Sequence, residues 1–402
     1  MDEPLLRKTE SQVQTNAATY SLSEMILYFL KLGTIGFGGP VALTGYMYRD
    51  LVEKRGWISE EDYKDGLALA QLAPGPLAAQ LAIYLGYVHY RILGATLVAI
   101  SFVLPSFIMV VITGWAYVHY GGLTWMQAVF YAVGASVIGI IAFSAYKLTT
   151  KTIGKDKLLW GIYLVAAAIT VITESESVIL FIGAGILYWL VKAPPKKLFG
   201  RNTMNSFIPF PFFSLASVGM LTSSSSGTLW NIFIFFAKAG AFVFGSGLAI
   251  VPFLYGGVVK EYEWLNVQQF LDAVAVAMIT PGPVVITTGF IGYLVAGFSG
   301  ASIAAFATFL PCYLLTIIPA PFFKKYGKLP GINAFVNGVT AAAIGAITGA
   351  VIVLGQRSII DIPTALFAVI TLGLLWKSKK VSEPMIVLGA AIIGLIVYPM
   401  MH

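Results

Sequence analysis

A polytopic, all-α membrane protein made of two tandem homologous halves in inverted topology is the fold that this 402-residue chain predicts. Three observations carry that expectation. The composition is 58% hydrophobic and only 11% charged, with mean hydropathy +0.84, whereas soluble domains carry about 25% charged residues. The apolar residues fall in two similar series of helix-length runs. Basic residues occupy alternate loops in the two series, out of phase.

The first series runs over 22–35, 66–87, 92–117, 126–146, 158–172 and 178–191, and the second over 230–244, 273–296, 301–323, 332–354, 363–376 and 384–400. A span needs about 20 apolar residues, and the chain could supply roughly ten such spans. The expected division is a polar N-terminal segment (1–21), a first repeat (22–191), a basic, Ser-rich linker (192–229) and a second repeat (230–402). The N-terminal segment mixes Asp2, Glu3 and Glu10 with Arg7 and Lys8 and has no apolar centre, so it does not read as a signal peptide. The single cysteine, Cys312, rules out an intrachain disulfide and reads as a small core residue. The net charge of +7 does not point to nucleic acid, because the basic residues lie in short loops between apolar runs.

Pro74-Gly75-Pro76 matches Pro281-Gly282-Pro283, an offset of 281 − 74 = 207. The same offset pairs Phe29 with Phe236, Lys31 with Lys238, Gly33 with Gly240, Trp57 with Trp264 and Asp65 with Asp272. Lipid-like composition explains shared Leu and Val but not a shared Lys, Asp and Trp, so the chain is a duplication.

Equivalent loops carry opposite charge patterns. Residues 119–124 have no charge where the second half has Lys324, Lys325 and Lys328, and Lys147, Lys151, Lys155 and Lys157 face only Arg357 beside Asp361. Basic loops stay cytoplasmic, so the halves should be inverted. That expectation gives each half one re-entrant hairpin, one broken span and about five crossings, about ten in all. It places the linker in the cytoplasm and both termini outside.

Within each half the first interruption is a glycine cluster: Gly36-Phe37-Gly38-Gly39-Pro40, and Phe244-Gly245-Ser246-Gly247. Such backbone at membrane depth must be buried or line a polar cavity; plain helix packing is the alternative. Ser59 with Asp62, and Asn266 with Gln269, have the spacing of helix caps. The capped helices then meet the two Pro-Gly-Pro elements, beyond which a new helix should start near Leu77 and present unpaired amides and the positive end of its dipole. Gln71 and Gln80, with Thr287 as the counterpart of Gln80, could bond an oxyanion or tie helices together. Lys31 and Lys238 lie inside apolar runs, where a charge is functional by default or else snorkels. A dianion facing two helix ends of about +0.5 each is left roughly one charge short, which the lysines could supply, one of them pairing with Glu24 or a coupling ion in the empty state. Asp65 and Asp272 sit near helix starts and read as structural.

Enzyme signatures are lacking. Gly297-Phe298-Ser299-Gly300 has no partner base downstream except His402, and there is no HExxH or P-loop. No cofactor or metal is expected.

Taken together, Lys31 to Pro40, Arg55 to Glu60, Asp65 to Pro76, Gln80 to Tyr87, Lys238 to Gly247, Trp264, Phe270 to Asp272 and Thr280 to Val285 resemble the chromate ion transporter family in its long, two-domain form. The resemblance implies a secondary active transporter in the plasma membrane that exports chromate, with sulfate as a related substrate, by alternating access, and that confers chromate resistance. The expected site combines Lys31, Gly38, Gly39, Pro40, Gln71, Pro74, Gly75, Pro76, Gln80, Lys238, Gly245, Ser246, Gly247, Pro281, Gly282, Pro283 and Thr287. The expected partners are a chromate- or sulfate-like oxyanion, the bilayer and a coupling ion, either a proton or a counter-anion; a homodimer is left open. Transport of another small anion, a membrane enzyme and a scaffold are the alternatives.

Overall fold

The structure is a computed structural model and describes residues 20–37, 39–120, 124–174, 178–194, 225–243, 247, 250–326, 329–378 and 381–401. Among them there are helices and connections and no strands. The first half contains α1 (Leu22–Ile35), α2 (Gly39–Met47), a π-helical continuation (Tyr48–Lys54), α3 (Glu60–Leu72), α4 (Leu77–Tyr120), α5 (Thr124–Thr152), α6 (Lys157–Thr173) and α7 (Val178–Lys192). The second contains α8 (Ser225–Ala241), α9 (Ile250–Tyr255), a π-helical continuation (Gly256–Glu261), α10 (Val267–Ile279), a 3₁₀ turn (Val284–Ile286), α11 (Thr287–Ile317), α12 (Ala320–Tyr326), α13 (Pro330–Ser358), α14 (Ile362–Lys377) and α15 (Glu383–Met401).

The caps read from the sequence are present. Ser59 Oγ accepts from the Asp62 amide at 3.0 Å, and Asn266 and Gln269 form a reciprocal box at 2.8 and 3.0 Å. A third box, Ser21 with Glu24, opens α1. It engages the carboxylate of Glu24 at 2.8 Å from both the amide and the hydroxyl of Ser21, so Glu24 caps its own helix and is not the partner of Lys31.

α4 and α11 are each two limbs joined by a tight reversal. Arg91 has φ 52°, ψ −141°, and Gly297 has φ 60°, ψ −150°. At this point the repeat offset is 297 − 91 = 206, one less than at the Pro-Gly-Pro elements. The limbs close on glycine pairs: a Cβ on Gly86 would lie 2.6 Å from the Gly94 carbonyl oxygen, and one on Gly292 would overlap that of Gly300.

The reversal fixes where each interrupted element goes. Tyr20, at the start of α1, stacks on Trp57, just before α3, at 4.8 Å. Its hydroxyl meets His89 Nδ1 at 2.9 Å, and its carbonyl accepts from the Tyr90 hydroxyl, at the end of the first limb of α4. Both interrupted elements of the first half therefore return to the end they came from, and the helices running through the bundle are the second limb of α4 (92–120), α5, α6 and α7. The second half repeats this from the opposite end. Tyr293, near the Gly297 reversal, packs on Gly114 near the far end of α4, and Thr96 and Tyr313 meet at 2.6 Å at the other. The two halves are inverted.

This arrangement corrects the expected shared side for the chain ends. Tyr20 lies at the Arg91 end of α4, whereas Tyr398 of α15 packs on Tyr131 near the start of α5, at the Tyr120 end. An even number of crossings returns the first half to its starting end. α7 accordingly finishes at the Arg91 end, with Lys192 paired to Asp156 of the α5–α6 connection at 2.6 Å, and α8 enters from the other. Residues 195–224 of the linker between them lie outside the described residues.

After the hairpins the halves exchange partners. α13 packs between α6 and α7, and α5 packs with α14 and α15. Glycines allow this: a Cβ on Gly338 would lie 2.5 Å from the Ala184 carbonyl oxygen, and one on Gly139 2.6 Å from that of Ala368. Close small-residue packing of this kind is the usual basis of helix association in lipid.

Candidate functional site

All four interruptions meet at the centre. The amide of Gly75, inside the first Pro-Gly-Pro, donates to the carbonyl of Val243, which follows α8, at 2.5 Å. The amide of Gly282, inside the second, donates to the carbonyl of Gly36, which follows α1, at 2.9 Å. The offset of 207 relates both pairs (75 to 282, 36 to 243), so one bond is the image of the other under the repeat symmetry. A small cavity at this junction is lined by Pro40, Leu43, Pro76, Ala78, Gly247, Gly282, Pro283 and Val284, residues of both halves.

The glycines here are required. Gly75 and Gly282 have φ +140° and +94°, which side chains rarely adopt. A Cβ on Gly75 would lie 2.8 Å from the Gln80 side chain and 3.0 Å from Cys312 Sγ, and one on Gly282 would overlap Ser106 Oγ. Gly33 and Gly240 likewise seat α1 and α8 directly against the backbone of Phe102 and Thr308.

Side chains brace the loops. Ser106 Oγ donates to the Pro281 carbonyl at 2.6 Å, and Gln80 Nε2 donates to that of Pro74 at 2.8 Å. Gln80 is fully buried, and its Oε1 has no hydrogen-bond partner among the described residues. Pro76 precedes the first turn of α4, and among its first amides that of Gln80 bonds back to the Pro76 carbonyl at 3.0 Å. The amides of a first helical turn lack carbonyl partners in their own helix, and in this turn Ala78 lines the cavity together with the preceding Pro76.

The second half differs. The shift from offset 207 to 206 is taken up by the 3₁₀ turn Val284–Ile286, and Thr287 bonds within it, to the Val284 carbonyl at 2.7 Å. Thr287 therefore does not brace the Pro-Gly-Pro loop as Gln80 does.

Of the residues proposed from the sequence, Gly39, Pro40, Pro74, Gly75, Pro76, Gln80, Gly247, Pro281, Gly282 and Pro283 come together. Gly38, Gly245 and Ser246 lie outside the described residues. Gln71 is exposed on α3. Lys31 and Lys238 are exposed on α1 and α8, on faces turned away from the contacts of Gly33 and Gly240 with the partner helices, and neither lines the cavity. The π-helical segments at Tyr48–Lys54 and Gly256–Glu261 went unread in the sequence. They stand at equivalent places and end alike, with Trp57 and Ile58 donating to Leu51, and Trp264 and Leu265 to Val258. No group of three or more metal-ligating side chains occurs among the described residues.

Charge is distributed unevenly between the two ends. The Arg91 end carries Arg49, Lys54, Arg55, Lys64, Arg91, Lys147, Lys151, Lys155 and Lys192, and the Tyr120 end carries Lys260 and Arg357. At the first, Asp156 is pulled down to about 2 chiefly by Lys192. At the second, Glu174 bridges Lys260 at 2.6 Å and Arg357, and these cations hold its carboxyl below the usual glutamate range, Lys260 most of all.

A family model described as "Chromate transporter" matches the chain twice, over residues 23–189 and 230–395. The chain is 71% identical over 386 residues to a "Chromate transport protein" of Cupriavidus metallidurans, covering 96% of each. It is 64% identical over 393 residues to a "Probable chromate transport protein" of Synechococcus elongatus, covering 97% of this chain and 99% of that one. An "Uncharacterized transporter" of Methanocaldococcus jannaschii is 28% identical over 315 residues, 76% of this chain and 77% of the other. No solved structure matches. The duplicated helical halves, with interruptions that meet at one point, thus belong to a member of the chromate transporter family in its two-domain form.

Proposed function

We propose that the chain is a secondary active transporter that exports chromate, with sulfate as a competing tetrahedral dianion, by alternating access between the inverted repeats. The observation that carries this reading is the reciprocal pair of backbone bonds, Gly75 to Val243 and Gly282 to Gly36. Each half holds the other's broken helix at the same point, so a rocking motion that loosens one bond relative to the other opens the centre to one side at a time. The oxyanion binds beside Pro40, Pro76, Gly247 and Gly282, on amides of the first turn of α4 and on whichever glycine amide, Gly75 or Gly282, the rocking motion releases.

Lys31 and Lys238 supply charge from the flanks. A lysine facing lipid near mid-depth costs on the order of 3 kcal/mol, so the face of α1 that carries Lys31 and Thr34 lines an aqueous vestibule, and likewise that of Lys238 on α8. In the bilayer the basic, Arg91 end faces the cytoplasm, which puts Tyr20 inside and the end of α15 outside. Uptake of labelled chromate and sulfate into proteoliposomes, with and without a pH gradient, tests the reading. Saturable chromate flux that sulfate inhibits supports it, and no flux under any gradient overturns it.

A further inference from the structure

Asp272 is a carboxylate that meets no cation among the described residues. It lies on α10, nine residues before Pro281, and is 3% exposed. Its Oδ2 meets the Tyr117 hydroxyl, from the second limb of α4, at 2.7 Å. Its Oδ1 accepts from Gln268 Nε2 at 2.9 Å. The Tyr117 ring is in turn held edge-on by Phe130 of α5 and Phe290 of α11, at 5.5 and 5.6 Å.

The other titratable groups on the elements packed around α10 are engaged elsewhere or far along their helices. On α4, His119 bonds the Trp115 carbonyl of its own helix. On α5, Tyr131 bonds Asp361, and Tyr146, Lys147 and Lys151 lie at the opposite end. On α11, Tyr293 packs on Gly114 and Tyr313 bonds Thr96, while Cys312 lies beside Gly75. On α15, Tyr398 stacks on Tyr131, and Glu383 is at the far end of the helix. In the π-helical segment before α10, Lys260 pairs with Glu174 and Glu261 is exposed. Both groups that bond Asp272 are neutral. Burying an ion with only neutral partners is expensive, so the acid form is the one this pocket suits.

The repeat supplies an independent observation. The counterpart of Asp272 is Asp65 (272 − 207), which is half-buried. The positions matching the clamp hold Phe323 (117 + 206) and Glu61 (268 − 207). The duplication keeps the carboxyl in both halves, but the matching positions repeat neither the tyrosine nor the glutamine that bonds Asp272.

This carboxyl can act on the centre. α10 leads directly into Pro281-Gly282-Pro283, whose glycine amide bonds Gly36 of the other half, and the Tyr117 contact ties α10 to the first half as well. We propose that Asp272 is the proton-carrying group of the transport cycle, neutral when α10 is docked on Tyr117 and ionised when α10 moves to expose it, so that oxyanion movement is coupled to a proton gradient. The proposal rests on the transport reading above.

The test uses the full-length protein in proteoliposomes. In the wild type, a pH gradient drives accumulation of labelled chromate. In Asp272→Asn that accumulation is lost, while exchange of labelled for unlabelled chromate persists; Asp272→Glu recovers part of the accumulation. Tyr117→Phe shifts the pH midpoint of uptake and covers the case in which Asp272→Asn does not fold. An infrared band of a protonated carboxyl in the wild type, absent from Asp272→Asn, reads the site without transport. Gradient-driven accumulation that survives in Asp272→Asn, or an unshifted midpoint in Tyr117→Phe, overturns the proposal. Wild-type chromate flux indifferent to a pH gradient overturns it and leaves the transport reading standing; no flux at all overturns that reading instead.

Discussion

Ser106 and Cys312 occupy the same place in the two repeats, 206 residues apart, each set against the Pro-Gly-Pro glycine of the opposite half. Ser106 also bonds the Pro281 carbonyl at 2.6 Å, while Cys312 packs on Gly75. Because its counterpart is a serine, Cys312→Ser should fold and sustain chromate resistance at close to the wild-type level. Growth on chromate with matched expression checks this, and the variant then serves as a cysteine-free background.

Gly75→Ala and Gly282→Ala should both fail. Each adds a Cβ in the positive-φ region, a strain of about 1–3 kcal/mol, and each drives it into a bracing side chain. Gly282→Ala should be the worse, because Ser106 Oγ is already held by Pro281 and has nowhere to go. Thermal unfolding in detergent reads the stability loss, and resistance reads the function; an unaltered Gly282→Ala would show that the central junction tolerates far more slack than its geometry indicates.

Lys31→Met and Lys238→Met should each raise the chromate concentration needed for half-maximal uptake by tenfold or more, a loss of at least about 1.4 kcal/mol of binding. Arginine at either place should keep part of the affinity. With cysteine at these positions, a charged thiol reagent should react from the aqueous phase if the vestibule is present. Normal affinity in both methionine variants, with no labelling, would make these lysines interfacial anchors.

Orientation can be read with the same background. Lys155→Cys should be protected from an impermeant thiol reagent in intact cells, and Glu263→Cys should be labelled. A tag after His402 should be accessible from outside, and one before Met1 should not. Labelling of Lys155→Cys from outside would reverse the assignment.

The Glu174 bridge gives a pH dependence whose sign is fixed. Lys260 and Arg357 lower the folded carboxyl below its unfolded value, so the bridge stabilises fully above the ordinary glutamate value of about 4.3 and is lost as the pH falls through the lower folded value. Partly exposed pairs contribute about 1 kcal/mol or less. Glu174→Gln should cost more than Lys260→Gln or Arg357→Gln, since it strands two cations, and its deficit relative to wild type should vanish in acid. Unfolding midpoints across a pH series test both statements.

The repeat, the caps at Ser59 and Asn266 and the interruptions at the Pro-Gly-Pro elements were legible in the sequence because each is a local pattern. Whether the chain turns back at an interruption is not local. At Gly36 and Gly75 it is decided by Tyr20, Trp57, His89 and Tyr90 meeting at one end of α4, contacts that span up to 70 residues. The direction of Lys31 was hidden for a related reason: helix periodicity places it opposite Gly33 but does not say that Gly33 faces α4. Tyr117 was missed as the partner of Asp272 since nothing in either run marks a contact across 155 positions.

The exchange of helices between the halves also sets a timetable for biosynthesis. α6 and α7 leave the ribosome more than a hundred residues before α13, which fills the space between them, and α5 waits longer still for α14 and α15. Until then the small-residue faces of the first repeat stand open to lipid or to insertion chaperones. A ribosome halted before Pro330 should therefore release an inserted but protease-sensitive first half, and assembly should complete only when α13, α14 and α15 arrive.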